Sequence, residues 1–228
     1  MYRKLILILS PLLIYCSIHA QSDSITKNAY KLFAQSQIDS LKSHGCVILI
    51  LRSNSRSIKA YENAGKTKLA EEMKKEVRIT NKFLVRAFYK NWSFCPVYFI
   101  LGDSLKSFLA DNTARVFTDT TLRLDTNIQC IQKFRLFIEY GTLYEVQNKE
   151  SDWQPSSFKS DVVGNIDPSN GTPVVEDALV VKDANLFQFR YPFPYFAQVK
   201  FGIKTVEQSV IRLCDRFWNF YNKSMVEK

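Results

Sequence analysis

Two short runs of unbroken apolar residues stand out in the first half of the chain. Residues 46–51 read Cys-Val-Ile-Leu-Ile-Leu, and Val97–Leu101 follows Pro96. A run of this length without alternation is typical of a strand that is buried on both faces of a sheet. Residues 23–43 before the first run, and residues 67–91 between the two, have apolar residues at helical spacing. The order helix, strand, helix, strand predicts a parallel core sheet covered by helices.

The long helix predicted over residues 67–91 has one apolar side and one basic side. Its predicted core positions are Leu69, Met73, Val77, Thr80, Leu84, Ala87 and Phe88. Its polar face consists largely of Lys74, Lys75, Arg78, Lys82 and Lys90. This spacing predicts an amphipathic helix that packs on the sheet with its apolar side.

From residue 115 onward the pattern changes to short strands. The shorter candidates are Arg115–Thr118, Phe134–Tyr140 and Leu179–Lys182. The longest alternation runs over residues 187–201 and has on one face Phe187, Phe189, Tyr191, Phe193, Tyr195, Ala197, Val199 and Phe201. On the opposite face, Pro192 and Pro194 place this strand at an edge of the sheet or at a break in the ladder, because proline cannot donate a ladder hydrogen bond.

A polar segment and a final helix complete the pattern. Residues 147–177 are rich in Ser, Asn, Asp and Pro and show no period, which predicts a long loop. Residues 205–222 return to helical spacing. Together these elements predict an α/β fold, a three-layer α/β/α sandwich whose mixed sheet has parallel core strands and antiparallel C-terminal strands. Residues 21–228 form a single domain in this interpretation.

The first twenty residues have the three zones of a secretory signal peptide. Arg3 and Lys4 precede an apolar stretch of 14 residues, and Ala20 supplies the small residue before a cleavage point. A bilayer-spanning helix needs about 20 apolar residues, so this stretch is too short for a membrane anchor. We therefore expect residues 1–20 to be removed and the rest to be exported as a soluble protein without a transmembrane segment.

The net charge is +9, of which Arg3 and Lys4 in the predicted signal peptide supply +2 and one later segment supplies the rest. Residues 52–90 hold eleven Lys and Arg against four Asp and Glu. A solvated basic helix face explains such a segment, and so does a surface that binds an anionic small molecule or an acidic protein partner. No recognised nucleic-acid-binding motif accompanies the charge, so we do not expect nucleic acid as the partner.

Histidine and cysteine usage restricts the chemistry. His44 is the one histidine after residue 20, which excludes a multi-histidine metal site and makes any Ser–His–Asp triad depend on this residue. We interpret His44 as a surface residue that ends a helix, and we predict no catalytic residue, no metal and no cofactor. The cysteines after residue 20 are Cys46, Cys95, Cys130 and Cys214. Export permits disulfides, and apolar surroundings equally suit free thiols, so the disulfide state stays open.

The position of a candidate binding site follows from the topology. In open α/β sheets, ligands bind beyond the carboxyl ends of parallel strands. The polar residues at these two ends are Arg52, Ser53, Asn54, Ser55 and Arg56 after the first strand, and Gly102, Asp103 and Ser104 after the second. Guanidinium groups, hydroxyls and the free N–H groups of a helix start can form an anion site. Helix caps explain the same residue types. If the two strands are neighbours, both loops lie at one crevice.

The chain resembles an uncharacterised family of exported bacterial proteins in three segments. They are Trp92-Ser93-Phe94-Cys95-Pro96-Val97-Tyr98-Phe99, the basic Ala-Gly-Lys helix before it, and Tyr191-Pro192-Phe193-Pro194-Tyr195. The resemblance implies a periplasmic or extracellular location in the bacterial envelope and, since the family has no assigned activity, no catalytic residues. We therefore expect a non-catalytic binding or cell-envelope interaction module. The alternative is an enzyme or binder that acts on an anionic small molecule at the loops after strands 46–51 and 97–101.

Overall fold

The computed structural model describes residues 28–111, 114–144, 173–199 and 203–226. Its helices are α1 (28–44), α2 (Ser55–Asn63), α3 (Thr67–Asn91), α4 (Gly102–Ala110) and α5 (Ile203–Val226). Its strands are β1 (Gly45–Leu51), β2 (Val97–Leu101), β3 (Phe117–Thr118), β4 (Phe134–Tyr144), β5 (Pro173–Lys182) and β6 (Phe196–Gln198). The predicted signal peptide lies outside the described residues. None of the described helices is long and apolar enough to cross a membrane.

The strands form a six-stranded sheet in the order β3-β2-β1-β4-β5-β6. The central strand β1 is parallel to both of its neighbours, β2 and β4. The remaining pairs, β2 with β3, β4 with β5, and β5 with β6, are antiparallel. The predicted mixed sheet with a parallel core is therefore confirmed, with an additional antiparallel strand, β3, at the edge next to β2.

Helices cover both faces of the sheet. On one face, α1, α3 and α5 pack against β1 and β4 to form the main hydrophobic core. On the other face, Phe108 of α4 packs with Ile48, Ile100, Phe117 and Phe137 in a second core. All seven residues of β1 are buried because both cores enclose it. This arrangement explains the unbroken apolar run and confirms the predicted layering.

The change from α1 to β1 occurs without an intervening loop. The helix ends at His44 and the strand begins at Gly45, where a Cβ atom would lie 2.7 Å from the Cα atom of Leu41. Only glycine permits so close an approach of the two backbones. The predicted helix stop at these residues is confirmed.

The strand at residues 173–182 begins earlier than expected. Residues 173–177 fall in the predicted loop, but β5 starts at Pro173 and pairs with an extension of β4 to Tyr144, beyond its predicted end at Tyr140. The partner strand supplies ladder hydrogen bonds that a polar composition does not reveal. The part of the predicted loop from 147 to 172 lies outside the described residues.

The prediction of one long strand over residues 187–201 is wrong. Among the described residues of this range, 187–199, Phe196–Gln198 alone forms a strand, β6, and a turn at 191–193 interrupts the chain before it. Phe189 and Phe193 are buried in the main core, whereas Tyr191 is 82% exposed. Pro192 and Pro194 lack the N–H groups that a continuous ladder requires. The edge position is confirmed, because β6 is the last strand of the sheet.

Helix α3 is only partly embedded. Its second half buries Asn81, Leu84, Val85, Ala87 and Phe88, but its first half buries Ala70 alone. The predicted core position Leu69 is 45% exposed. The first half packs against α2, which contains no buried residue. Because this helical pair lies outside the main core, apolar spacing overestimated the burial of its first turns.

Candidate functional site

The two loops after β1 and β2 meet at the carboxyl edge of the sheet. The register pairs Leu51 with Leu101, so the strands end level with one another. The Ser53 hydroxyl donates a 2.8 Å hydrogen bond to one oxygen of the Asp103 carboxylate. The Ser55 hydroxyl donates to the other oxygen. A Cβ atom at Gly102 would lie 3.5 Å from the Ser53 hydroxyl, an ordinary van der Waals distance, so the two loops are in contact here.

Asp103 links the starts of two helices instead of capping its own. It lies in the first turn of α4, whose N-cap is Leu101 and has no side-chain capping bond. Its carboxylate reaches Ser55, the first residue of α2, where a negative charge is favourable near the positive end of the helix dipole. The N-cap of α2, Asn54, has a left-handed φ of 49° and makes no side-chain capping bond.

Arg52 is held by Asn81, a residue of α3 that the sequence pattern does not single out. The Asn81 side chain accepts from the Arg52 backbone N–H at 3.0 Å and donates to the Arg52 carbonyl at 2.7 Å. The Arg52 guanidinium carbon lies 4.3 Å from the centre of the Tyr140 ring, a cation–π contact. Its Nε also donates to the Tyr140 carbonyl oxygen at 3.4 Å. The half-buried Arg52 side chain thus braces β1 against β4.

The remaining predicted residues do not gather around one vacant crevice. Arg56 is exposed on α2, and no hydrogen bond or ion pair joins it to Asp103, both residues being in the described part of the chain. Asn54 is exposed and Ser104 is half-buried. A bound anion would have to displace hydroxyl donors from Asp103 and approach its negative charge. The anion-site hypothesis therefore stays a prediction that this geometry does not favour.

Tyr140 makes the stability of the folded protein depend on pH in the alkaline range. Burial, and then a 2.8 Å hydrogen bond donated by its hydroxyl to Asp177, raise the pKa of Tyr140 to about 12. An unfolded tyrosine has a pKa of about 10. The folded state binds the phenolic proton more tightly, so its contribution to stability is complete below about pH 10 and is lost as the pH rises through about 12.

We expect Tyr140→Phe to remove part of the loss of stability at high pH. The free energy of unfolding, measured with urea at about pH 9 and about pH 11.5, falls less between the two values in this variant than in the wild type. The control is Tyr89→Phe, because Tyr89 is 74% exposed and the same loss should persist. An equal pH dependence in the wild type and Tyr140→Phe would contradict the expectation.

The sequence contains a signal for the role of Asn81 but none for that of Asp177. Asn81 is a polar residue at a helical spacing that otherwise carries the buried residues Leu84 and Phe88 of α3, which indicates a specific hydrogen-bond partner. Asp177 lies at the end of the segment that polarity assigned to a loop. Its role became visible only with the pairing of β4 and β5.

A small cleft lies on the face of β4 and β5 opposite the Tyr140 ring. Its volume is about 160 Å³, and it is lined by Glu139, Gly141, Thr142, Val180 and Lys182. An ion pair joins Lys182 to Glu139 at this cleft. Small-molecule sites typically occupy about 300–1,000 Å³, so the cleft does not by itself indicate a ligand site.

The basic side of α3 forms a continuous row of cations that we call the basic ridge. Its members follow at steps of three or four residues and are all exposed: Lys75, Arg78, Lys82, Arg86 and Lys90. Residues at these steps are neighbours on a helix surface, and the row extends for about 22 Å. Among the described residues, no carboxylate forms an ion pair with any of the five. Lys74, also predicted on the polar face, pairs instead with Glu62 at 2.8 Å and Glu71 at 2.7 Å.

His44 lies where the sequence placed it. It is exposed at the end of α1, with its Nδ1 atom 2.8 Å from the Ser43 hydroxyl. Within the described ranges, no group of three or more His, Cys, Asp or Glu side chains is arranged to hold a metal ion. The resemblance to exported bacterial proteins stays an expectation, since no protein-family model, curated protein or solved structure matches the chain.

Proposed function

We propose that this chain is an exported, non-catalytic binding module of the bacterial cell envelope, and that the basic ridge of α3 binds an acidic protein partner. The observation that supports this proposal is the row of five exposed cations without acidic partners among the described residues. Like charges three or four residues apart destabilise a helix by about 0.2–0.5 kcal/mol per pair. Helix stability therefore does not explain the ridge, whereas an acidic partner would relieve the repulsion.

The ridge is held on a rigid support. The opposite side of α3 buries Leu84, Val85 and Phe88 in the main core, where Phe88 also contacts Trp92 with ring centres 5.6 Å apart. A surface that is already ordered loses little conformational entropy when it binds. The charges at Lys82 and Arg86, beside these buried positions, are the best placed to act as a fixed pattern.

Several features favour a protein over a membrane surface as the partner. A helix that lies in a membrane interface inserts its apolar face, but in the second half of α3 that face is packed in the main core. The exposed side chains of Ile79 and Tyr89 lie along the ridge at 42% and 74% exposure. Tyrosine and arginine are enriched at protein interfaces, and the ridge combines Tyr89 with Arg78 and Arg86.

Reversal of two ridge charges tests this function. We expect Lys82→Glu/Arg86→Glu to weaken binding to fluorescently labelled poly-glutamate, a model acidic polypeptide, by at least about tenfold at low salt. The matched control is Lys106→Glu/Lys133→Glu, which changes the net charge equally at exposed positions on α4 and before β4. It should weaken binding less than about threefold, because α4 lies on the other face of the sheet. Fluorescence anisotropy gives both dissociation constants.

Two outcomes would overturn the proposal. An equal loss in both double variants would mean that total charge, and not the ridge, determines binding. Tighter binding of the wild type to phosphatidylglycerol vesicles than to poly-glutamate, lost in the ridge variant, would assign the ridge to a membrane surface instead.

A further inference from the structure

We propose that Cys46 and Cys130 form a disulfide bond that ties the segment before β4 to the central strand. The pairing rests on the proposed export for its oxidising surroundings. The Sγ atoms lie 3.3 Å apart although the residues are 84 positions apart in the chain. A disulfide joins sulfurs at about 2.05 Å, so an approach of about 1 Å completes the bond.

The two thiols share a closed environment at the second core. Cys46 is 0% exposed on β1, and Cys130 is 7% exposed in the segment that leads to β4. They pack with Phe137 and other members of that core. The other two cysteines belong to the opposite face, where Cys214 lies 3.7 Å from the Ser93 hydroxyl and Cys95 packs at the border of the main core. The arrangement therefore selects Cys46 and Cys130 among the possible pairings.

The segment around Cys130 contacts the second core through Cys130 and Ile128, but other apolar side chains of the segment do not. Two of its large apolar side chains, Leu124 and Ile131, are 62% and 80% exposed. Polar contacts attach it instead: Arg135 donates from Nε to the Gln132 carbonyl at 2.7 Å, and Tyr98 donates to the Gln132 side chain at 3.0 Å. A covalent link from Cys130 to β1 would strengthen the attachment that these few contacts supply.

The surroundings assign different roles to the two thiols. The hydrogen bond from Cys46 and the positive charge of Arg135 lower the pKa of Cys130, against the opposing effect of burial. The same hydrogen bond and burial raise the pKa of Cys46. Because the thiolate is the nucleophile, Cys130 reacts first.

The oxidant is a disulfide-bearing compound. The Cys130 thiolate attacks one of its sulfurs, forming a mixed disulfide and releasing one thiolate. The Cys46 thiol then loses its proton and attacks the Cys130 sulfur, which forms the Cys46–Cys130 bond and releases the second thiolate. The two protein thiols lose two electrons and two protons, and the oxidant is reduced to two thiols.

Peptide mapping tests the link directly. The full chain is produced with secretion into a bacterial periplasm, denatured, alkylated with iodoacetamide without reduction, and digested with trypsin. We expect peptide 43–52 joined to peptide 124–133, and loss of the joined species after reduction. Cys95 and Cys214 fall in separate tryptic peptides, 91–106 and 213–216, so other pairings are distinguished. Recovery of peptides 43–52 and 124–133 as separate alkylated species would overturn the proposal.

A second arm separates failure of the pairing from failure of export. The purified protein is incubated in a buffer of reduced and oxidised glutathione, which supplies the oxidant whatever the cellular location. Linked peptides from this sample but not from the secreted one, together with an intact mass that retains residues 1–20, would refute export and leave the pairing supported. Absence of the linked peptides from both samples would refute the pairing itself.

Thermal unfolding supplies an independent readout. We expect reductant to lower the Tm of the oxidised wild type by about 5–15 °C, since a long loop is released. Cys130→Ala should have a low Tm that reductant does not change further. The matched control Cys214→Ser removes a buried thiol on the other face and should keep the response to reductant. A Tm of the wild type that is insensitive to reductant would contradict the pairing.

Discussion

Phe217→Ala lowers the free energy of unfolding by about 3–5 kcal/mol, the cost expected when a large buried ring is replaced by a methyl group. Phe217 is 0% exposed on α5. Its ring centre lies 5.2 Å from that of Trp92, and 5.5 Å from those of both Phe94 and Phe193. Trp92 and Phe94 belong to the segment before β2 and Phe193 to the segment before β6, so one substitution leaves a cavity where these two segments and α5 meet.

Urea unfolding of the purified domain measures this loss. Phe217→Leu should retain part of the packing and lose less, roughly 1–2 kcal/mol. Ile211→Ala on the same helix is the surface control, because Ile211 is 42% exposed and its loss should stay near or below about 1 kcal/mol. Similar losses in Phe217→Ala and Ile211→Ala would show that the aromatic cluster does not form the centre of the core.

Asn81→Leu lowers the free energy of unfolding by about 2–4 kcal/mol, although leucine is a better helix former and is more apolar. The Asn81 amide pairs with both backbone polar groups of Arg52, much as the peptide group of an adjacent strand would. Leucine at this position leaves an N–H and a carbonyl without partners where β1 ends. Each lost partner costs about 1–3 kcal/mol in a buried setting.

The comparison with an exposed asparagine isolates this effect. Asn63 is exposed at the end of α2, so Asn63→Leu should change the free energy of unfolding by no more than about 0.5 kcal/mol. Asn81→Asp keeps the acceptor for the Arg52 N–H but not the donor for its carbonyl, and should fall between the wild type and Asn81→Leu. An Asn81→Leu protein as stable as the wild type would show that this pairing does not hold the end of β1.

The elements with the strongest local signals were predictable from the sequence. Strand β2 begins after Pro96 and covers Val97–Leu101, and α3 covers Thr67–Asn91, as the apolar spacing predicts. An unbroken apolar strand is covered on both faces, which is typical of the parallel core strands of an α/β sheet. The sequence left open whether the two strands are neighbours, and the structure pairs Leu51 with Leu101, which brings the two polar loops together.

The features that the sequence did not reveal depend on distant partners. Strand β5 extends into a polar segment because β4 offers hydrogen bonds as far as Tyr144. Tyr191 shares the alternating spacing of Phe189 and Phe193 but is exposed, since a turn interrupts the strand there. Asp103 has the position of a helix cap, yet its carboxylate accepts hydrogen bonds from serines about fifty positions earlier in the chain.

In the basic segment, too, the sequence predicts the local pattern of charges but not which charges are paired with distant residues. Residue counts reveal an excess of positive charge, and helical spacing places Lys75, Arg78 and Lys82 on one side of α3. The spacing does not distinguish these residues from Lys74. Lys74 forms an ion pair with Glu62 of α2, across the turn between α2 and α3. Only the three-dimensional contacts separate a paired lysine from the basic ridge.

The affinity of Lys82→Glu for poly-glutamate, relative to that of Lys106→Glu, tests most directly whether the basic ridge binds an acidic partner. Lys82 lies four residues from both Arg78 and Arg86, so glutamate there replaces two repulsive pairs with attractive ones and should raise the free energy of unfolding by about 0.5–1.5 kcal/mol. We predict that this more stable variant binds about five- to tenfold more weakly than the Lys106→Glu variant. Equal affinities of the two variants would contradict the proposed function.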